Sequence, residues 1–199
     1  MTEQVFVVDD DAGFRDSMRV LLESAGYHVA VYCNARTFLS DDPHDGGCLI
    51  SDIHMPEMGG LELQEELVRR GNELPVIIIT GQGDVPRAVR AMKTGAIDFI
   101  EKPFDDDLML QSVGRALEVG RKTAKHNAEV KAARDLLDLL TPREHNVLDQ
   151  ICMGHSNKVS AHDLGISSRT IEIHRGHIMS KMCVRNMSDL MRITFLAQS

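Results

Sequence analysis

Four short stretches carry groups suited to phosphoryl chemistry. Asp52 stands in Ile50-Ser51-Asp52-Ile53-His54-Met55-Pro56. Asp9, Asp10 and Asp11 follow the run Val5-Phe6-Val7-Val8, and Thr80 follows Val76-Ile77-Ile78-Ile79. Glu101, Lys102 and Pro103 follow Ile97-Asp98-Phe99-Ile100. Each is an apolar run that ends in a polar group on its C-terminal side. Carboxylates held together repel, and a hard dication such as Mg2+ (or Mn2+) relieves that repulsion with few protein ligands and several waters. A carboxylate nucleophile beside such an ion is suited to forming an acyl phosphate. An ammonium and a hydroxyl at the same place can hold the transferred oxygens.

These groups meet only if the four runs are neighbouring strands that end on one edge. Pro56 stops the Asp52 strand from running on, because a proline has no backbone N–H to give to a ladder. Between the strands lie amphipathic segments. One has Phe14, Met18, Leu21, Leu22 and Ala25 at helical spacing before Gly26, one has Leu61, Leu63, Leu67 and Val68, and one has Val85, Ala88, Val89 and Met92. Val29 to Tyr32 reads as a further strand, and Asn34 can cap a short helix ending near Leu39. Five β/α units of this length predict an α/β fold, a parallel sheet covered on both faces. Right-handed crossovers favour the flavodoxin-like strand order 2-1-3-4-5, which sets Asp9 and Asp10 beside Asp52. Taken singly, the acidic triplet is a common helix start, Thr80 a strand-end hydroxyl, Lys102 a surface lysine and Phe99 a core residue. Their joint placement at four strand ends is what argues for a site.

The 199 residues are enough for one large domain or two small ones, and 43% hydrophobic with 26% charged residues is ordinary for a globular chain. No apolar run has transmembrane length, and the first strand starts too early for a signal peptide to fit, so a cytoplasmic protein with no membrane partner is expected. Cys33, Cys48, Cys152 and Cys183 lack zinc or CxxC spacing and read as reduced thiols. The net charge of −8 is uneven. Residues 1–125 hold 13 Lys/Arg against 22 Asp/Glu, whereas residues 126–199 hold 9 against 8 and six of the nine histidines. The C-terminal part is the half able to approach a polyanion.

Residues 3 to 122 resemble the receiver domain of two-component response regulators. The resemblance implies that Asp52 is the phosphoacceptor. It also implies that Asp9, Asp10, Asp52 and the backbone carbonyl of His54 hold Mg2+, and that Thr80, Lys102 and Phe99 form the phosphoryl-binding and switch set. By the same resemblance His54 and Gln82 tune the lifetime of the phosphoryl group, and Lys102-Pro103 is a cis peptide.

Residues 105 to 140 read as largely helical. Gly114 and Gly120 each weaken that helix by roughly 1 kcal/mol relative to Ala, so a helical linker with a soft joint is predicted. Thr141-Pro142-Arg143-Glu144 is a helix start with a hydroxyl cap, Pro at the first position and Glu at the third. Ser156-Asn157 caps a short helix ending at Leu164-Gly165. Ile166 to Thr170 opens another, with Ile171, Ile173, Ile178, Met179 and Met182 as candidate inward residues. A last helix covers Asn186 to Leu196. Two short helices around a Gly-containing turn are a helix-turn-helix pattern. Leu140 to Glu144, Ser156-Asn157-Lys158, Leu164 to Ser167 and Arg169 to Arg175 resemble the LuxR-type output domain of the NarL/FixJ group. Thr80-Gly81-Gln82-Gly83-Asp84-Val85-Pro86 and Asp98 to Phe104 look most like FixJ-type regulators. The expected organisation is a receiver at 1–122, a helical linker at 123–138 and a helix-turn-helix domain at 139–199.

In such folds the second helix enters the major groove. Glu172, Arg175 and Gly176 are the groove-facing candidates. Arg175 is suited to a guanine edge and Glu172 to a cytosine amino group. Lys158, Ser168, Arg169, Thr170, His174 and Lys181 are the candidate phosphate contacts. His155 and Ser160 stand where the family usually carries apolar residues, and a buried unpaired hydroxyl would cost on the order of 1–3 kcal/mol.

The resemblance implies a transcription factor that takes a phosphoryl group from a sensor histidine kinase, becomes a homodimer and binds promoter DNA, with RNA polymerase as a further partner. It implies no turnover enzyme. Two rival readings stay open on the residues alone. A Mg2+-dependent phosphatase would use Asp52 as nucleophile but usually needs an Asp two residues on, where this chain has His54. A phosphate sink or protein-interaction module would keep the receiver chemistry with little DNA binding.

Overall fold

Five apolar runs lie side by side in the computed structural model, which describes residues 3–41, 46–81 and 85–198. They are β1 (Gln4–Val8), β2 (His28–Tyr32), β3 (Gly47–Asp52), β4 (Val76–Thr80) and β5 (Asp98–Glu101), all parallel in the order β2-β1-β3-β4-β5. This is the flavodoxin-like order expected from the sequence. β1, β3 and β4 are buried on both faces, which is why they read as unbroken apolar runs and not as alternating ones.

Helices cover the two faces. α1 (Ala12–Ser24) and the first part of α5 (Asp106–Asp138) bury Met18, Leu22, Met109, Val113 and Leu117 against Val5, Val7, Ile50, Ile77 and Ile79. α2 (Ala35–Asp41) and α3 (Gly60–Arg69) bury Phe38, Leu63 and Leu67 against Phe6, Val8, Leu49 and Ile78 on the other face. α4 (Val85–Lys93) departs from expectation. Its apolar stripe faces outward, with Val85 75%, Val89 46% and Met92 50% exposed, and of the helix only Ala91 is buried. Val68 on α3 is likewise exposed. Periodicity shows that a helix has an apolar face, but not whether anything covers it.

The chain divides into two compact units, residues 1–124 and 125–199. α5 is helical over Asp106–Asp138, Gly114 and Gly120 included. At Gly120 a Cβ would stand 2.9 Å from the carbonyl oxygen of Gly47 and 3.3 Å from Pro75, so glycine is what lets α5 lie against the sheet there. Residues of the expected linker belong to the second unit's packing: Val130 and Ala133 are buried, and Arg134 Nε donates to the carbonyl oxygen of Ala197 at 2.9 Å.

The second unit continues with α6 (Pro142–Cys152), α7 (Asn157–Leu164), α8 (Ser168–Lys181) and α9 (Met187–Ala197). Thr141 and Glu144 form the expected capping box on α6, and Ser156, Ser167 and Asn186 cap the next three helices. Gly165 ends α7 with φ of 64°, the left-handed turn for which glycine is suited. Ile171, Ile178 and Met182 join Val147, Leu148 and Leu190 in one core. Ile173, expected inward, is 51% exposed, because it lies two positions from Ile171 and so turns away from the face that Ile171 and Ile178 share. Ser160 is buried, yet its hydroxyl is not among the orphaned polar atoms of the described residues, which are Gln64 Oε1 and His174 Nδ1. No helix among the described residues is long and apolar enough to cross a membrane.

Candidate functional site

The register sets Val8 beside Ser51, Asp52 beside Ile79 and Thr80 beside Glu101, so the polar strand ends converge on one edge of the sheet. At their centre is Lys102. Its Nζ donates to Asp9 Oδ2 at 2.8 Å and to Asp52 Oδ1 at 2.8 Å. The Phe14 ring lies below, with its centroid 3.7 Å from Nζ, a cation–π contact. The other oxygens are held by backbone: Asp11 N–H donates to Asp9 Oδ1 at 2.8 Å, and His54 N–H donates to Asp52 Oδ2 at 2.6 Å. Arg15 Nη1 donates to the Asp9 carbonyl oxygen at 2.7 Å.

Both carboxylates are nearly out of water, Asp9 at 2% and Asp52 at 7% exposure, while Asp10 is exposed beside them. Burial pushes the Asp9 carboxyl above its ordinary value against the pull of Lys102 and the Asp11 N–H, and the Asp52 charge pushes the same way. Burial works to lower the Lys102 pKa, but its bonds to Asp52 and Asp9 outweigh that and hold the ammonium above its usual range. The pocket is an excess of oxygen anions around a single ammonium. Oxygen-only donors with an exposed third carboxylate fit a hard dication and not a zinc-like one.

The turn after Asp52 is shaped by a close approach. A Cβ at Gly60 would stand 2.4 Å from the Asp52 carbonyl oxygen and 2.9 Å from Ser51 Oγ, so α3 can start against this backbone only with glycine there. Thr80 is fully buried at the end of β4, and Phe99 is half-buried on β5 against the core that contains Ala91 and Ala96. Lys102-Pro103 is cis. The His54 side chain is exposed and its Nε2 contacts Arg87 Nη1. Gln82 lies outside the described residues.

Reading the sequence missed three contributors: Phe14 under the ammonium, Arg15 on the Asp9 carbonyl and Arg87 beside His54. Phe14 and Arg15 sit in the first turn after the acidic triplet, a position that could have pointed to them. Nothing local marks Arg87.

In the second unit Lys158, Arg169 and Glu172 are exposed, and Ser168, Thr170 and Arg175 are half-buried. Thr170 is part of the helix start, its N–H donating to Ser167 Oγ at 3.1 Å. Lys181 is a correction. Its Nζ donates to Glu144 Oε2 at 2.7 Å and to the Leu139 carbonyl oxygen at 3.1 Å. The buried Glu144 carboxylate engages this ammonium, which therefore ties α8 to α6 and is not offered to a phosphate. His174, a candidate phosphate contact, is half-buried with its Nδ1 sealed and without a hydrogen-bond partner.

Comparison with known proteins adds two family matches. Residues 5–114 match the family of response regulator receiver domains, and residues 138–194 match the bacterial regulatory proteins of the luxR family. The chain is 40% identical over 194 residues to the transcriptional regulatory protein FixJ of Bradyrhizobium diazoefficiens, covering 97% of this chain and 95% of that one. It is 41% identical over 191 residues to nodulation protein W of the same organism, covering 96% and 84%. Among solved structures, response regulator StyR superposes with a TM-score of 0.85 at 38% identity, over 98% of each chain. Full-length FixJ from B. japonicum gives 0.60 at 39% identity, over 100% of this chain and 98% of that one.

Proposed function

The chain belongs to the FixJ-type response regulators, a receiver joined to a LuxR-type DNA-binding domain, and from that membership we propose that Asp52 takes the phosphoryl group. Phosphorylation-dependent control of transcription is the family's function, and it is not turnover catalysis. The observation that carries the assignment of Asp52 is the position of Lys102, 2.8 Å from both buried carboxylates at the strand ends.

Asp52, Asp9 and Asp10 are the side chains that would hold Mg2+, which supplies charge neutralisation for the incoming phosphoryl oxygens when bound. A carboxylate oxygen of Asp52 forms a bond to phosphorus. The N–P bond of the donor phosphohistidine breaks, and its electron pair returns to the imidazole of the kinase. The acyl phosphate brings a charge of about −1.5 to −2. Lys102 turns from bridging two carboxylates to holding a phosphoryl oxygen. Thr80, buried on the same edge, reaches another, and Phe99 follows it inward. His54 and Arg87, in contact at the rim, limit the approach of water and set with Gln82 how long the phosphoryl group lasts.

The outward apolar stripe of α4 supports dimerisation as the output. Val85, Val89 and Met92 are a surface that a second copy can cover once β5 and α4 have shifted. Moving such a switch from about 1% to 99% active takes roughly 5.5 kcal/mol of differential stabilisation. Two output domains then read half-sites about one DNA turn apart. Arg175 and Glu172 face base edges while Lys158, Ser168, Arg169 and Thr170 hold phosphates. The kinase, promoter DNA and RNA polymerase are the partners of this reading, in the cytoplasm.

The test is incubation with Mg2+ and phosphoramidate, followed by intact mass, sedimentation and DNA binding, with Asp52→Asn as control. One added phosphate on the wild type only, with dimerisation and tighter DNA binding, is the expected result. Phosphorylation without any gain in DNA binding would move the protein to the phosphate-sink reading. Equal labelling of Asp52→Asn would remove Asp52 as the acceptor.

A further inference from the structure

The second unit holds a cluster of ligating groups that phosphoryl transfer does not use, and of its members only His174 is among the candidate DNA contacts. Glu144 on α6 and His174 and His177 on α8 each offer one ligand atom, all within 4.8 Å of one another. We propose that these three side chains form a site for a borderline transition-metal dication, Zn2+ being the representative, that ties α6 to α8.

His174 and His177 are three positions apart on one helix, so they share a face. The partner across from them is a carboxylate 3% exposed. Glu144 Oε2 is already satisfied by three donors: the Thr141 N–H at 2.8 Å, Thr141 Oγ1 at 2.9 Å and Lys181 Nζ at 2.7 Å. Glu144 Oε1 is left facing the histidines, with His177 Nδ1 at 3.9 Å, beyond hydrogen-bond reach. His174 Nδ1 is sealed from water without a hydrogen-bond partner. A buried polar atom in that state is uncommon, and here it belongs to the residue type that most often binds such metals.

Two imidazoles and one carboxylate, with a fourth position open to solvent, are a recurrent three-ligand zinc set. At metal–ligand distances of about 2.0–2.2 Å, tetrahedral ligand atoms lie roughly 3.4 Å apart. The cluster must therefore contract by at most about 1.4 Å. The exposed His177 ring is free to swing towards Glu144. Lys181 can keep Oε2 while Oε1 binds. The nitrogen donors separate this site from the oxygen-only pocket of the receiver, which suits Mg2+.

The test uses the full-length chain, stripped with chelator and supplied with excess Mg2+ to occupy hard-ion sites. Zn2+ is titrated by calorimetry, and Co2+ serves as a spectroscopic probe of tetrahedral coordination. One Zn2+ per chain is expected, with intense visible Co2+ bands. His177→Ala, on an exposed position that leaves the core intact, is expected to weaken Zn2+ binding by at least about tenfold, on the scale seen when a metal site loses support, and to abolish the Co2+ bands. His162→Ala, a histidine outside the cluster, is expected to change neither. Zn2+ binding that is absent in the wild type, or equal in wild type and His177→Ala, would overturn the proposal, as would loss of binding in His162→Ala alone. None of these readouts depends on phosphorylation, so the assignment of Asp52 stands or falls separately.

Discussion

Replacing Lys102 with Met keeps a long apolar stem and removes only the ammonium. In the metal-free protein this leaves Asp9 and Asp52 without the cation that sits 2.8 Å from each. At an effective dielectric of about 20, one such pair with charge centres about 4 Å apart is worth roughly 4 kcal/mol, so two give about 8. Against this stands the burial cost of the ammonium, which Met no longer bears. Removing one partner of a buried ion pair costs about 3–5 kcal/mol net, and that is the expected loss here. Mg2+ can take over neutralisation in the variant. Ligand at about 100 times its dissociation constant adds roughly 2.7 kcal/mol, and the variant should gain more from Mg2+ than the wild type, whose Lys102 competes for the same oxygens. The assay is urea unfolding followed by tyrosine fluorescence, with chelator or with Mg2+. The chain has two tyrosines and no tryptophan, and Tyr27 and Tyr32 both lie in the first unit, so the signal reports the receiver selectively. A loss under about 1 kcal/mol in chelator, well below the range for a broken buried pair, or an equal Mg2+ gain in both proteins, would refute the reasoning.

Other expectations follow from single contacts. Gly60→Ala sets a methyl 2.4 Å from the Asp52 carbonyl oxygen, so the receiver should lose about 1–3 kcal/mol by overpacking and accept phosphate more slowly, read by tyrosine-monitored unfolding and intact mass. Glu144 has a folded pKa near 2 against an ordinary 4.5. Its stabilisation is therefore fully present above about pH 4.5 and is lost as pH falls towards 2, an effect of about 3 kcal/mol by linkage. Glu144→Gln should remove that part of the acid dependence of the helical circular-dichroism transition, and an unchanged acid slope would count against the Lys181 and Thr141 contacts. Gly176 is in mid-helix on α8 with open space where a Cβ would go. Gly176→Ala should stabilise α8 by up to about 1 kcal/mol in hydrogen exchange, while DNA affinity should fall if this face meets the groove.

Strand order, helix positions and the polar strand ends were all legible along the chain, because they rest on local signals. Apolar runs of four or five residues, glycine stops, hydroxyl caps and Pro56 act within a few positions of themselves. Asp9, Asp52, Thr80 and Lys102 could be brought together from sequence because a parallel sheet sends every strand's C-terminal end to the same edge. The tertiary structure alone decided what each charged group holds. Lys181 looks like any groove-side lysine until α8 packs on α6 and Glu144 engages its ammonium. Val85, Val89 and Met92 look like core until α4 is seen to bury only Ala91. Phe14 comes under the Lys102 ammonium, and His174 and His177 come opposite Glu144, only because chain segments far apart in sequence pack together. Periodicity and capping depend on neighbours a turn away, whereas the pairing of a charge and the covering of an apolar face depend on elements distant in the chain.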